Sequence, residues 1–189
     1  MPTSFWKHIS YVIEQGRKDL PRSVLDIGIG FGKWGFLFRE FLDIYGNGDH
    51  WSKKSWKTRI DGIEVYEPYL KDLEKTWYDE IYVGDVLEVI PDLQDYDLTL
   101  MMDVLEHIPK AEGQLLLDII LKKSKKFIVS VPLGDFLYEF KGENKAESHV
   151  SIWTEDELKT YSGYKKHKIY KLVTTGGKKL EVGVFIYEN

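Results

Sequence analysis

A short apolar run, Ser23-Val24-Leu25-Asp26-Ile27, passes directly into Gly28-Ile29-Gly30-Phe31-Gly32, and a helical pattern starts at Trp34. Three glycines at alternate positions between a strand and a helix constrain this chain more than any other feature. Without Cβ atoms the main chain can turn in left-handed conformations and approach a ligand closely. The helix that follows presents partial positive charge at its start. The pattern reads as the first βα unit of an open α/β sheet, with a ligand expected outside the carboxyl end of the strand.

The remaining elements extend that unit. Phe5, Trp6, Ile9, Val12 and Ile13 recur at helical spacing and stop at Gly16. Residues 59–65, 81–83, 96–102 and 126–131 read as further strands, and 34–45, 68–78 and 110–122 as helices. Thr154 and Glu157 have capping-box spacing. Residues 168–174 and 180–187, joined across Gly176-Gly177, read as an antiparallel hairpin. The prediction is an α/β, Rossmann-like three-layer sandwich, with a mostly parallel seven-stranded sheet and a C-terminal antiparallel hairpin. At 189 residues one domain is expected. It would comprise a cap helix at 4–19, a cofactor half at 23–103, and an acceptor half with a lid at 104–189.

Composition narrows the chemistry. With no cysteine, disulfide scaffolds, thiol nucleophiles and Cys-ligated zinc are excluded. A net charge of −5 argues against a surface built for phosphate backbones. Charged residues interrupt the first twenty positions, which lack an apolar signal core, and no apolar run is long enough to span a bilayer. A cytoplasmic protein without a membrane partner is expected. Trp51, Lys53, Lys54, Trp56 and Lys57, in and just after the polar 46–56 loop, offer basic and aromatic groups for nucleic acid. A solvated loop with its tryptophans packed on the body is favoured. Lys122 to Lys126 reads as a helix C-terminus, and His8, His50 and His167 as surface residues.

Acidic residues fall at four successive strand ends: Asp26, Glu64, Asp85 and Asp103. Two carboxylate oxygens match the vicinal hydroxyls of a ribose, which suits Glu64, and Asp85 can accept from an adenine amino group. Asp26 beside the glycines would favour a cationic ligand. In this combination the sequence resembles the class I S-adenosylmethionine-dependent methyltransferases. Asp26-x-Gly28-x-Gly30-x-Gly32 is similar to their first motif, Gly62-Ile63-Glu64 to their ribose-binding strand end, and Gly84-Asp85-Val86 to their adenine contact. Tyr96-Asp97-Leu98 through Asp103-Val104-Leu105-Glu106-His107-Ile108 is similar to the fourth strand of their small-molecule branch. The resemblance implies S-adenosylmethionine as cofactor. Gly28, Gly30 and Gly32 would surround its methionine part, Glu64 its ribose, and Asp85 and Val86 its adenine, with Asp26 and Asp103 also on the cofactor.

Acceptor chemistry is expected after the fourth and fifth strands. Asp103, His107 and His149 are the catalytic candidates, since removal of a proton from a hydroxyl needs a positioned base. Glu106, His107 and His149 could hold Mg²⁺ or Mn²⁺. This resembles the metal-assisted branch, which includes small-RNA terminal 2′-O-methyltransferases. Asp103 departs from that branch's Glu-x-x-Glu-His motif. Phe136, Leu137, Tyr138 and Phe140 could line an acceptor pocket. The reading is an enzyme that methylates oxygen or nitrogen of a small molecule. Three alternatives stay open: a metal-assisted RNA-terminus enzyme, a non-enzymatic cofactor-binding protein, and a nicotinamide oxidoreductase, because Gly30-x-Gly32-x-x-Gly35 also fits the dinucleotide fingerprint.

Overall fold

A computed structural model describes residues 4–45, 52–72, 74–173, 177 and 179–189. Among them the strands are β1 (Ser23–Ile27), β2 (Arg59–Glu64), β3 (Glu80–Val83), β4 (Tyr96–Met102), β5 (Ser124–Pro132), β6 (Tyr164–Val173) and β7 (Lys179–Glu188). They form one seven-stranded sheet in the order β3-β2-β1-β4-β5-β7-β6. The first five pair in parallel, and β7 runs antiparallel to both β5 and β6.

Parallel strands covered on both faces are apolar on both faces, and side chains alternate between them. Leu25, Ile27, Met101, Phe127 and Val129 face one core, with Trp153 and the α5 residues Leu116, Leu117 and Ile120 (α5, Lys110–Lys123). Val24, Ile60, Leu98, Leu100 and Ile128 face the other, with Val12 of α1 (Ile9–Arg17) and Trp34 and Phe38 of α2 (Lys33–Arg39). Shorter helices complete the layers. These are α3 (Glu74–Trp77) on the α2 side, and α4 (Val86–Val89) and α6 (Glu155–Leu158) on the α5 side. No helix among the described residues is long and apolar enough to cross a membrane.

Several local expectations change. The N-terminal helix starts only at Ile9, and the Phe5 amide instead donates to Asp103 Oδ2 at 2.6 Å. Where one helix was expected at 68–78, a 3₁₀ turn (Glu67–Tyr69) and the short α3 stand. α4 carried no sequence signal strong enough to announce it. It is a single turn, capped by Asp85, whose Oδ1 accepts from the Leu87 amide at 2.8 Å. The lysines at 122–126 do not all end a helix. α5 stops at Lys123, and Lys126 lies in β5, buried, with Asp19 and Glu188 as ion-pair partners.

Positions 46–51, including His50 and Trp51, and Gly176 of the hairpin turn lie outside the described residues. Trp56 packs on the body, with the buried Arg39 guanidinium 4.3 Å from its ring centre. Arg39 donates to Asp43, Asp79 and the carbonyls of Thr58 and Trp77. A buried charge is tolerated when its donors are satisfied in this way. The clamp fixes α2 against the start of β2 and the end of α3.

Two histidines are not surface residues. His167 is partly buried and bonds Tyr164 Oη at 2.6 Å and Glu155 at 3.1 Å. His8 is fully buried, stacks on Trp34 with ring centres 5.7 Å apart, and has no partner for either ring nitrogen. Burial pushes its pKa down to about 4, against the pull of Asp103. The unfolded chain then takes the proton first as pH falls below 6.5, so this contribution to stability is complete above that pH and is lost towards 4. His8→Leu removes the titration at nearly constant volume. Between pH 8 and pH 5 the variant should gain about 2 kcal/mol on the native protein, measured by urea unfolding at each pH.

Candidate functional site

β1 ends in a turn that only glycine takes without strain. Gly28, Gly30 and Gly32 have φ of +77°, +54° and +74°. The Gly28 and Ile29 amides donate to the Ile63 carbonyl of β2, and the Gly30 amide donates to Glu64 Oε2 at 2.9 Å. Glu64 Oε1 accepts from the Tyr66 amide at 2.9 Å. One carboxylate therefore joins the glycine loop to the residues after β2. Each of its oxygens keeps a further lone pair for a vicinal diol. Burial raises the Glu64 pKa, and the backbone donors at Tyr66 and Gly30 oppose the rise.

Beyond the strand ends a cavity of about 370 Å³ opens. Its lining includes Gly28, Gly30, Glu64, Asp85, Val86, Asp103, Glu106, His107 and His149. Most of the expected cofactor residues and the three catalytic candidates thus share one space, of the size that small-ligand sites occupy. Gly28 sits so close to Val104 that an added Cβ would lie 2.4 Å from Val104 Cγ2. Asp85 keeps Oδ2 after Oδ1 caps α4. A carboxylate beside the glycine cradle and a second one at the next strand end fit a nucleoside with an amino-acid tail.

Two expected cofactor residues lie outside the lining. Asp26 is buried beneath the loop and accepts from Tyr78 Oη at 2.5 Å, and that hydroxyl accepts from the Gly35 amide at 3.1 Å. Desolvation raises the Asp26 pKa to about 7, with the Tyr78 bond opposing. Its carboxyl therefore braces the loop from below and does not project charge into the cavity. Gly32 precedes α2 and turns the chain into that helix. In the lid only Tyr138 of the four proposed pocket residues reaches the cavity.

Asp103 lines the cavity in an uncommon backbone conformation, φ +57°. Both its oxygens are engaged, one by the Phe5 amide and one by Ser130 Oγ, each at 2.6 Å. It stands apart from a tighter group. Glu106, His107 and His149 each bring one donor atom to within 4.8 Å of the others. That span is slightly wider than the about 4.2 Å between opposite ligands of an octahedral Mg²⁺. Glu106 Oε2 and His149 Nδ1 are buried without a partner. His107 Nδ1 faces the Ser148 carbonyl at 3.0 Å, so it carries the proton and leaves Nε2 as a lone-pair donor. Burial raises the Glu106 pKa well above normal and lowers that of His107; burial, with His107 next, lowers His149 to about 4. A carboxyl that resists ionisation beside two neutral imidazoles brings together donor types that a divalent cation could use.

Sequence reasoning assigned no role to other lining residues: Ser4, Lys33, Asn144 and Glu147. Tyr69 Oη donates to Glu147 Oε1 at 3.0 Å, which ties the lid to the turn after β2. Lys33 had a signal, being the first residue after the glycine loop. Glu147 had none, since its place depends on a long irregular segment folding back.

No protein-family model matches the chain, and no curated protein matches it in sequence. Solved structures do match its fold. TehB from Haemophilus influenzae is 13% identical with a TM-score of 0.67, over 95% of this chain and 62% of TehB. The chain thus spans less than two thirds of that protein. A SAM-dependent methyltransferase from Methanosarcina mazei is 15% identical with a TM-score of 0.64, over 99% of both chains. The N-terminal domain of EvdMO1, solved with S-adenosylhomocysteine (SAH) bound, is 14% identical with a TM-score of 0.62, over 97% of this chain and 84% of that one. The chain has the Rossmann-like fold of the class I S-adenosylmethionine-dependent methyltransferases.

Gly28 and Gly134 separate backbone strain from closure of the cavity. Gly134 has φ +90° with open space around it, whereas Gly28 meets Val104. Alanine at either should cost about 1–2 kcal/mol for the left-handed backbone. Gly28→Ala should lower the melting temperature further and weaken SAH binding in calorimetry at least tenfold, while Gly134→Ala leaves that binding unchanged.

Proposed function

We propose that the protein is an S-adenosylmethionine-dependent methyltransferase that acts on a hydroxyl of a small acceptor, with a divalent cation held by Glu106, His107 and His149. One observation carries this reading: the glycine cradle, the strand-end carboxylates and the Glu/His group open into a single cavity. The bound cofactor supplies an activated methyl group on a sulfonium. The protein's tasks are then alignment, exclusion of water and handling of the acceptor's proton. Gly28 and Gly30 admit the amino-acid part of the cofactor, Glu64 takes the ribose hydroxyls, and Asp85 with Val86 holds the adenine.

The pKa directions choose between two roles for His149. A general base works best with a pKa near the working pH. His149, depressed to about 4, is a weak base at neutrality but a ready lone-pair donor. That supports a ligand role for His149, beside Glu106 and the Nε2 of His107. Asp103, with both oxygens engaged, serves to hold the turn after β4 and the N-terminal segment over the cavity.

The acceptor reading follows from charge. An RNA terminus calls for a basic approach to the site. Lys33 is the single lysine or arginine among the described cavity residues, against Glu64, Asp85, Asp103, Glu106, Glu112 and Glu147. This favours a neutral or amine-bearing small molecule.

Calorimetric titration tests the cofactor. S-adenosylmethionine and SAH should bind at micromolar concentration and NAD(H) should not; the reverse result rejects the methyltransferase. Titration with Mn²⁺, followed by its electron paramagnetic resonance signal, tests the metal separately. The native protein should take up one ion near stoichiometrically, and Glu106→Gln and His149→Ala should each lose at least tenfold in affinity. Equal uptake by all three would remove the metal from the mechanism and leave the cofactor reading intact.

A further inference from the structure

We propose that Lys33 is the anchor for the carboxylate at the methionine end of the cofactor. This rests on the methyltransferase reading above. The methionine end is an amino acid, and its carboxylate must leave water to enter the cavity. A desolvated carboxylate needs a cation or several donors. The cavity is otherwise lined with acids, and among its described residues Lys33 is the one lysine or arginine.

The state of Lys33 points the same way. It is half-buried at the start of α2, directly after the glycine loop, with its ammonium 5.6 Å from the centre of the Trp34 ring. It donates to the Ser4 carbonyl at 2.5 Å. No carboxylate lies within ion-pair distance of it among the described residues. The two nearby acids that draw on its charge, Asp103 and Asp26, have turned to other donors. Asp103 is bonded by Phe5 and Ser130, and Asp26 by Tyr78. A lysine ammonium has three protons to donate. One is used, and the others remain for an anion that enters beside the glycines.

The competing explanation is that Lys33 only pins Ser4 across the cavity. Two ligands and two variants separate these. SAH carries the amino-acid tail; 5′-methylthioadenosine keeps the nucleoside and the sulfur but lacks the carboxylate. Lys33→Gln retains a donor for the Ser4 carbonyl without the charge, and Lys33→Arg retains the charge. Binding is read by calorimetry, and folding by thermal melts. Lys33→Gln should weaken SAH by about 10- to 100-fold and leave 5′-methylthioadenosine within about twofold, while Lys33→Arg keeps most of the SAH affinity. Equal losses for both ligands, or no loss for either, would overturn the anchor. If the native protein binds 5′-methylthioadenosine and Lys33→Gln binds SAH as tightly as the native protein does, the anchor fails while the nucleoside site stands. If it binds neither ligand, the methyltransferase reading itself fails.

Discussion

The left-handed turn at the end of β1 is the constraint on which the rest depends. It leaves the sheet at Ile27 and reaches α2 within a few residues, which fixes where that helix lies. β2 supplies the acceptors that hold it: the Ile63 carbonyl for two amides, and the Glu64 carboxylate for a third. Below the turn, Asp26, Tyr78 and the Gly35 amide form a second set of bonds to α2. The turn is therefore fastened from both sides, so its main chain can border an open cavity without collapsing into it.

The acidity of the chain has two opposite uses around this turn. Asp26, Asp61 and Asp43 are buried, and each spends an oxygen on a partner within the fold: Tyr78 for Asp26, Tyr96 with Arg59 for Asp61, and Arg39 for Asp43. These carboxylates organise the fold. Glu64, Asp85 and Glu147 instead border the cavity, where their field suits a ligand that carries a sulfonium and an ammonium. Identical residue types at strand ends thus divide by which way the local backbone turns them, and four acids in a row do not make four ligand contacts.

That division marks the limit of what could be read in the sequence. The sheet, the glycine turn and the terminal hairpin were legible because each rests on local signals: apolar runs, glycine spacing and turn residues. Glu106, His107 and His149 were legible as candidates from residue type, and the fold brings their donor atoms together. The inward turn of Asp26 was not legible, since it depends on Tyr78, 52 positions away in the chain. His8 looked like a surface residue because polarity is a fair guide to exposure. It is buried because Trp34 and Tyr170, from two distant segments, enclose it together with the nearby Phe5. Short elements such as α4 were missed for a related reason, as one helical turn has no period to detect.

Two covers close the cavity, and they differ in what they carry. Ser4 and Phe5 are held by Lys33, Trp34 Nε1 and Asp103, and neither residue belongs to the Glu/His group. The segment after β5 is held by Tyr69 on Glu147, by His107 on the Ser148 carbonyl, and by the Val150 and Ser151 amides on the Glu106 carbonyl. That second cover brings His149 with it. Lifting it takes an imidazole out of the group and uncovers Glu106, whereas lifting Ser4 and Phe5 leaves all three donors in place. Among the described residues these bonds number three for the N-terminal cover and four for the second. One member of the Glu/His group, His149, is thus carried by the cover that more of these bonds hold.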